Sequence, residues 1–243
     1  MPIEPPPTPW VFPTDAEVDE SGLVAIGADL EPGTLLGAYR HGFFPMPIET
    51  GGPFGWWSPD PRGVLEPRAM HVSRSLRRSM RRFEIRVDTA FDDVIDGCAD
   101  PARPYGWIDD RIRVAYRRLH ELGWAHSVET WSDDRLVGGL YGIAVGGLFA
   151  AESKFHTMTD ASKAAVAALA AGLVDDHPRI IDVQWRTDHL ATLGVVDISR
   201  EQYLQRLSEV LESPDSTFLR GKGSYDPATC SLNSDADAPM ESR

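Results

Sequence analysis

The sequence predicts an α+β chain (α/β mixed), with a small N-terminal domain ahead of a larger one. Two observations predict it. The first sixty residues are broken by turn punctuation at Phe12-Pro13, Glu31-Pro32-Gly33 and Gly51-Gly52-Pro53. From Arg62 onward, short β-branched runs alternate with segments of helical period. The division falls at residues 1–61 for the small domain and 62–213 for the large one, with 214–243, rich in Ser, Asp, Pro and Gly, as a flexible tail. No internal repeat is visible.

Within the first segment one helix is expected, Pro32 to His41, ended by Gly42. Ser73 is placed to cap a second, in which Leu76, Met80 and Phe83 share an apolar face. Glu84 to Val87 reads as a strand, and Ala90 to Cys98 as a helix. Asp109 or Asp110 can cap the next helix, which runs through Ala115, Tyr116, Leu119 and Leu122 and stops at Gly123. Three strands follow, His126 to Thr130, Arg135 to Ala144 and Gly147 to Ala151, with a Gly-bearing turn between the last two. Ala161 to Val174 is apolar nearly all round and so predicts a buried helix. A strand at Ile180 to Trp185 and a helix at Arg200 to Leu211 complete the order.

The chain has 243 residues, 42% apolar, which is enough to bury a sizeable core. Its longest weakly polar stretch, Gly138 to Ala151, falls short of the about 20 apolar residues a membrane helix needs. No membrane partner is expected. The first residues lack the basic and apolar regions of a secretory signal. Two cysteines, Cys98 and Cys230, exclude a disulfide framework or a four-cysteine zinc site, and a reducing cytoplasm fits best.

A net charge of −13 speaks against a nucleic-acid partner when taken as a whole. Its distribution is uneven. Residues 62–86 carry eight Arg against Glu66 and Glu84, a local charge of +6, which leaves −19 elsewhere. On the predicted helix Arg74, Arg77, Arg78 and Arg81 form one stripe. Guanidinium forks match phosphate geometry, so the stripe can hold an RNA backbone; it can equally be the solvated face of an amphipathic helix.

Several motifs are excluded. His120, Glu121 and His126 lack the spacing of a His-Glu-x-x-His zinc helix. The glycines from 138 to 147 make neither a dinucleotide fingerprint nor a Walker loop, and there is no Gly-x-Ser-x-Gly elbow. What remains are sparse polar residues in apolar surroundings. Glu152 ends the strand Leu148 to Ala151, and Asp182 and Gln184 share one face of theirs. A carboxylate beside a carboxamide can orient an amine and assist loss of its proton. The alternative is an edge strand whose polar face meets water. The Trp residues in Trp56-Trp57-Ser58-Pro59 and Gly106-Trp107-Ile108 offer flat surfaces for a base, or simply core.

Read in order, Gly27-Ala28-Asp29-Leu30, Ala38-Tyr39-Arg40-x-Gly42-x-Phe44-Pro45, Trp56-Trp57-Ser58-Pro59-Asp60-Pro61-Arg62, Ala125-His126-Ser127-Val128-Glu129, Gly138-Gly139-Leu140-Tyr141-Gly142, Glu152-Ser153-x-Phe155, Ala161-Ser162-Lys163 and Ile181-Asp182-x-Gln184 resemble the leucyl/phenylalanyl-tRNA–protein transferase family. The likeness runs from about Phe12 to Leu207. It implies a large domain of acetyltransferase-like fold, and transfer of Leu or Phe from Leu-tRNA or Phe-tRNA to proteins beginning with Arg or Lys, which marks them for degradation by the N-end rule. By position, Asp182 and Gln184 match the catalytic pair and Glu152 the pocket carboxylate. Leu140, Phe149, Val166, Leu169 and Leu173 match the apolar pocket for the donor side chain. Trp107 matches an aromatic on the terminal adenosine. Arg74, Arg77, Arg78, Arg81 and Arg82 match a basic region for the acceptor stem. Asp182 would accept or ease the amine proton through Gln184, with no metal and no cofactor.

Three departures stand out. Lys154 replaces the family's usual Met at the pocket, Met46 replaces a Trp that stacks on adenosine, and Val183 replaces a Cys. The first two bear on specificity; Val183 is expected to be neutral. Two rivals differ in class. An acyl-coenzyme A acetyltransferase would need a Gly-rich pyrophosphate loop, which is missing from the sequence. A non-catalytic tRNA-binding adaptor would keep the Arg stripe without needing Asp182 and Gln184.

Overall fold

A computed structural model describes residues 1–225 apart from 15–17, 19–20, 50, 103–105 and 222. The first strands, β1 (Leu23–Ile26), β2 (Phe44–Pro47) and β3 (Phe54–Trp57), pair antiparallel in the order β1-β3-β2. Helix α1 (Pro32–Arg40) opens with Pro in its first turn, and Gly42 at φ 84° turns the chain away after it. Its Leu35, Leu36, Ala38 and Tyr39 are buried.

The larger part contains β4 (Arg62–Leu65), α2 (Arg74–Met80), β5 (Glu84–Val87), α3 (Phe91–Cys98), α4 (Asp110–Glu121), β6 (Ala125–Ser132), β7 (Arg135–Val145) and β8 (Leu148–His156). It continues through α5 (Ala161–Gly172), β9 (Ile180–Gln184), α6 (Asp188–Ala191), β10 (Val196–Ile198), α7 (Arg200–Leu211), α8 (Thr217–Arg220) and β11 (Gly223–Tyr225). These strands form one eight-stranded sheet in the order β10-β4-β9-β8-β7-β6-β5-β11. Every neighbouring pair is antiparallel except β8 and β9. The mixed α+β class is as expected.

Strand alternation sends successive side chains to opposite faces, and each face carries its own core. On one, Tyr141, Ile143 and Ala150 pack with α1, α3, α4 and α7. On the other, Val128, Leu140, Phe149 and Ile181 pack with α2, α5 and α8. Helix α5 is buried along almost its whole length, which explains a run without a polar face.

Two elements differ from expectation. Strand β8 does not end at Ala151 but continues against β7 to His156, so Glu152 lies inside it. The backbone ladder outruns the apolar run because polar side chains do not interrupt strand pairing. The stretch expected as a tail from residue 214 carries α8 and β11: Phe218 and Leu219 are buried against the α5 core, and β11 pairs with β5. Its anchors are a few apolar residues in a stretch whose average composition is polar. Residues 226–243, with Cys230, lie outside the described residues.

Candidate active site

Strands β8 and β9 pair through Leu148↔Ile180, Phe149↔Ile181 and Ala150↔Asp182, and no further. Beyond that point β8 stays with β7 while β9 ends at Gln184, and a cavity of about 420 Å3 opens there. Its apolar wall is Leu140, Ala151, Val166, Val183 and Leu190; its polar groups include Glu152, Lys154, His156, Ser162, Gln184 and His189.

A bulge delivers Glu152 to this wall. The β7–β8 register passes from Tyr141↔Ser153 to Gly142↔Ala151, leaving Glu152 as the extra residue. Gly142 permits the close approach, since a Cβ there would sit 2.2 Å from Ala150 O. The hydroxyl of Tyr116 donates to Glu152 Oε2 at 3.1 Å, and Tyr39 shares a very short hydrogen bond with Tyr116. Oε1 is buried and has no hydrogen-bond partner among the described residues. Burial pushes the Glu152 carboxyl up to about 8, against the lowering effect of the Tyr39 and Tyr116 hydroxyls, with the Asp182 carboxylate adding to the rise and Arg62 opposing it.

Asp182 is held from below. Arg62 Nε donates to Oδ1 at 2.9 Å and Arg62 Nη2 to Oδ2 at 2.6 Å, a bidentate pair in which both side chains are 1% exposed. Tyr203 OH donates to Oδ2 at 2.8 Å, and the Gln184 backbone N–H to Oδ1 at 2.9 Å. Each carboxylate oxygen thus takes two donors. The guanidinium is sandwiched by rings, with Cζ at 4.8 Å from the Phe44 centroid and 4.5 Å from that of Tyr203. Burial works against the Arg62 charge, yet the Asp182 carboxylate and Tyr203 leave its pKa above the ordinary value.

Gln184 adopts a left-handed φ of 62°, opposite a register shift at Gly63, where a Cβ would fall 2.7 Å from Arg186 N. Asp182 fixes that strained backbone through the Gln184 N–H. With its amide nitrogen turned inward, Gln184 donates to Ala151 O and Val183 O, both at 3.0 Å. Trp185, next in sequence and 39% exposed, meets Phe44 edge-on at 5.1 Å and Trp57 at 6.3 Å.

Of the residues expected at the pocket, Glu152, Lys154, Leu140, Val166 and Gln184 line it. Asp182 stands behind Gln184. Phe149 and Leu169 are fully buried in the core on the same face and do not reach the cavity. Leu173 lines a separate cavity of about 240 Å3 with Asp175 and Arg179, at the far end of α5. Trp107 is partly buried against the core that also holds α1 and α4, and Met46, in β2, accepts a hydrogen bond from Trp57 Nε1 at 3.3 Å. Neither lines the cavity. Sequence reasoning missed Arg62, Tyr203, Tyr116, His189 and Trp185; for the last, its place directly after Gln184 was the available signal.

Ser73 caps α2 by accepting from Leu76 N at 3.2 Å, and Leu76, Met80 and Phe83 are buried. Arg74, Arg78, Arg81 and Arg82 are exposed and Arg77 partly so. Ser79 Oγ donates to Asp160 Oδ2 at 2.7 Å, tying the stripe to the start of α5 and so to the cavity's Ser162. No group of three or more His, Cys, Asp or Glu among the described residues could hold a metal ion, and no helix there is long and apolar enough to cross a membrane.

A cavity between splayed strands, part apolar and with a carboxyl and a carboxamide in its wall, is built as the site of a group-transfer enzyme would be. Residues 64–208 match the leucyl/phenylalanyl-tRNA protein transferase family and residues 28–60 its N-terminal domain. Proteins named leucyl/phenylalanyl-tRNA–protein transferase are 51% identical in Aromatoleum aromaticum (82% of this chain, 89% of that one), 48% in Nitratidesulfovibrio vulgaris (84% and 89%) and 45% in Salmonella paratyphi A (83% and 87%). The chain belongs to the leucyl/phenylalanyl-tRNA–protein transferase family.

Proposed function

We propose that this enzyme moves Leu or Phe from charged tRNA to the α-amino group of proteins beginning with Arg or Lys, in the cytoplasm, as a step in N-end rule degradation. The observation that carries the site assignment is Gln184, held in the cavity wall by an Asp182 carboxylate whose four acceptor positions are all filled. Ester aminolysis is downhill, so the site has chiefly to position the amine and the ester and to stabilise the tetrahedral oxyanion. In this reading Asp182 positions Gln184 rather than taking a proton itself. Leu140 and Val166 receive the donor side chain, Trp107 and Met46 flank the terminal adenosine, and Arg74, Arg77, Arg78, Arg81 and Arg82 hold the acceptor stem. Residues 62–213 form the catalytic domain of acetyltransferase-like fold, and 1–61 the small domain.

The test is incubation with Phe-tRNA or Leu-tRNA and peptides beginning Arg, Lys, Asp or Glu, read as an N-terminal mass increase. Transfer that Asp182→Ala abolishes supports the assignment; tRNA binding without transfer to any acceptor would leave an adaptor instead. A second reading, altered specificity, is favoured by Lys154, which brings an amine into the cavity lining beside His156 and His189. Lys154→Met should raise the preference for Arg and Lys over Asp and Glu acceptors, or for one donor amino acid, several-fold. Unchanged ratios across the panel would dismiss any role for Lys154 in specificity.

A further inference from the structure

Peptide-bond formation needs a neutral amine, and an N-terminal α-amine near its ordinary pKa of about 8 is mostly ammonium at neutral pH. A group in the site has to take that proton. Two carboxyls, Asp182 and Glu152, stand where β8 and β9 part. Asp182 is closed to the task, because its two oxygens already receive two donors from Arg62 and one each from Tyr203 and Gln184. Glu152 is the acidic residue in the cavity wall, with Oε2 held by Tyr116 and Oε1 buried without any donor. A buried acceptor atom is ordinarily paired, so an unpartnered one on a residue of the cavity wall is left for a donor that a bound ligand brings once it seats there.

We propose that Glu152 is the general base of the transfer, its Oε1 taking the proton of the acceptor's α-ammonium. The inference rests on the aminoacyl-transfer reading above. One N–H bond of the ammonium breaks as the O–H bond forms on Oε1, and the freed lone pair attacks the ester carbonyl carbon. The C–N bond forms, and as the tetrahedral intermediate collapses the C–O bond to the ribose breaks. A second proton from nitrogen goes to the departing ribose oxygen. The Glu152 proton then leaves to solvent, so the net products are an amide, an alcohol and one proton.

The surroundings suit this proton. Tyr39 from α1 and Tyr116 from α4 lie on one side, Arg62 from β4 and Asp182 from β9 on another, and Lys154, His156 and His189 share the cavity wall. Burial and the Asp182 carboxylate hold the carboxyl at about 8, close to the ordinary α-ammonium value, so the proton passes at little cost to the carboxylate form of Glu152, whose share grows as pH rises towards 8.

The experiment compares the wild-type enzyme with Glu152→Gln and Glu152→Asp, using Phe-tRNA and two acceptor peptides. One begins with Arg. The other is its aminooxy counterpart, with the same side chain and a terminal nitrogen that is already neutral at pH 7. Glu152→Gln should lower transfer to the Arg peptide by about 100-fold or more, the usual contribution of general base catalysis. Transfer to the aminooxy peptide, corrected for enzyme-free aminolysis, should stay within about threefold on the same scale. Glu152→Asp should recover part of the loss with the Arg peptide alone. Equal losses with both acceptors would overturn the proposal and make Glu152 a donor-binding or packing group, and no loss with either would overturn it outright. If the wild-type enzyme transfers to neither peptide, the aminoacyl-transfer reading itself falls, and the proposal with it. Near-ultraviolet circular dichroism of each variant checks that it is folded.

Discussion

Arg62 closes the motif Trp57-Ser58-Pro59-Asp60-Pro61-Arg62, and from the sequence alone it is one more cation in a basic window. In the structure it is buried and paired with Asp182, a partner far along the chain. Spacing could place Asp182 and Gln184 on one face because a strand's period is local; it could not supply the guanidinium that occupies the carboxylate. The same limit hid the bulge that points Glu152 towards Tyr116. Glu152 also has a consequence for stability. Its carboxyl is held at about 8 in the folded chain against 4.5 ordinarily, so between those values the folded state binds the extra proton. The stabilisation this gives is fully present below about 4.5 and is lost as pH rises through about 8. Urea unfolding at pH 5.5 and at 8.5 should therefore show the wild-type protein losing more stability than Glu152→Gln over that interval. Parallel losses in the two proteins would show that Glu152 keeps an ordinary affinity for its proton.

Helices and the central strands were legible because their signals are periodic and capped by local residues: Ser73 on α2, Asp109 on α4 and Ser199 with Gln202 on α7 all cap as their side chains allow. Short elements held by distant partners were not. Helix α8 has four residues and β11 three, too few for a period, and what fixes them is contact with α5 and β5. Gly172 shows how close that contact is, for a Cβ there would fall 2.2 Å from Phe218 Cγ. The pocket shows the same limit: Leu140, Phe149, Val166 and Leu169 all belong to one core, and only packing decides which of them meets the cavity. Ending the chain at Ser213 would uncover α5 by removing buried Phe218 and Leu219, each worth about 1.5–3 kcal/mol of burial. The truncated protein should unfold several degrees lower in a calorimetric scan. An unchanged midpoint would mean that α8 and β11 contribute nothing to the stability of the sheet.

Across the whole molecule the charge separates further than the sequence suggests. Of the eight Arg in residues 62–86, Arg62 is spent on Asp182, Arg86 pairs with Glu84 and Asp134, and Arg68 donates to Asp175 O. The cations most open to a polyanion are the exposed Arg74, Arg78, Arg81 and Arg82, set against a chain of net charge −13. If the stripe holds RNA as proposed, the acidic remainder of the chain would disfavour other orientations and keep non-specific binding weak. Each phosphate contact releases counterions, which makes the stripe measurable by salt. Replacing Arg74, Arg78 and Arg81 together by Ala should lower the slope of log affinity for Phe-tRNA against log salt by about 2 to 3, at about 0.7–0.9 for each contact removed. Transfer from a phenylalanyl-adenosine fragment, which carries none of the acceptor-stem phosphates, should be unchanged in the triple variant. A slope equal to the wild type's would place the RNA on another surface, and lost transfer from the fragment would mean that the stripe acts on the cavity itself rather than on the RNA backbone.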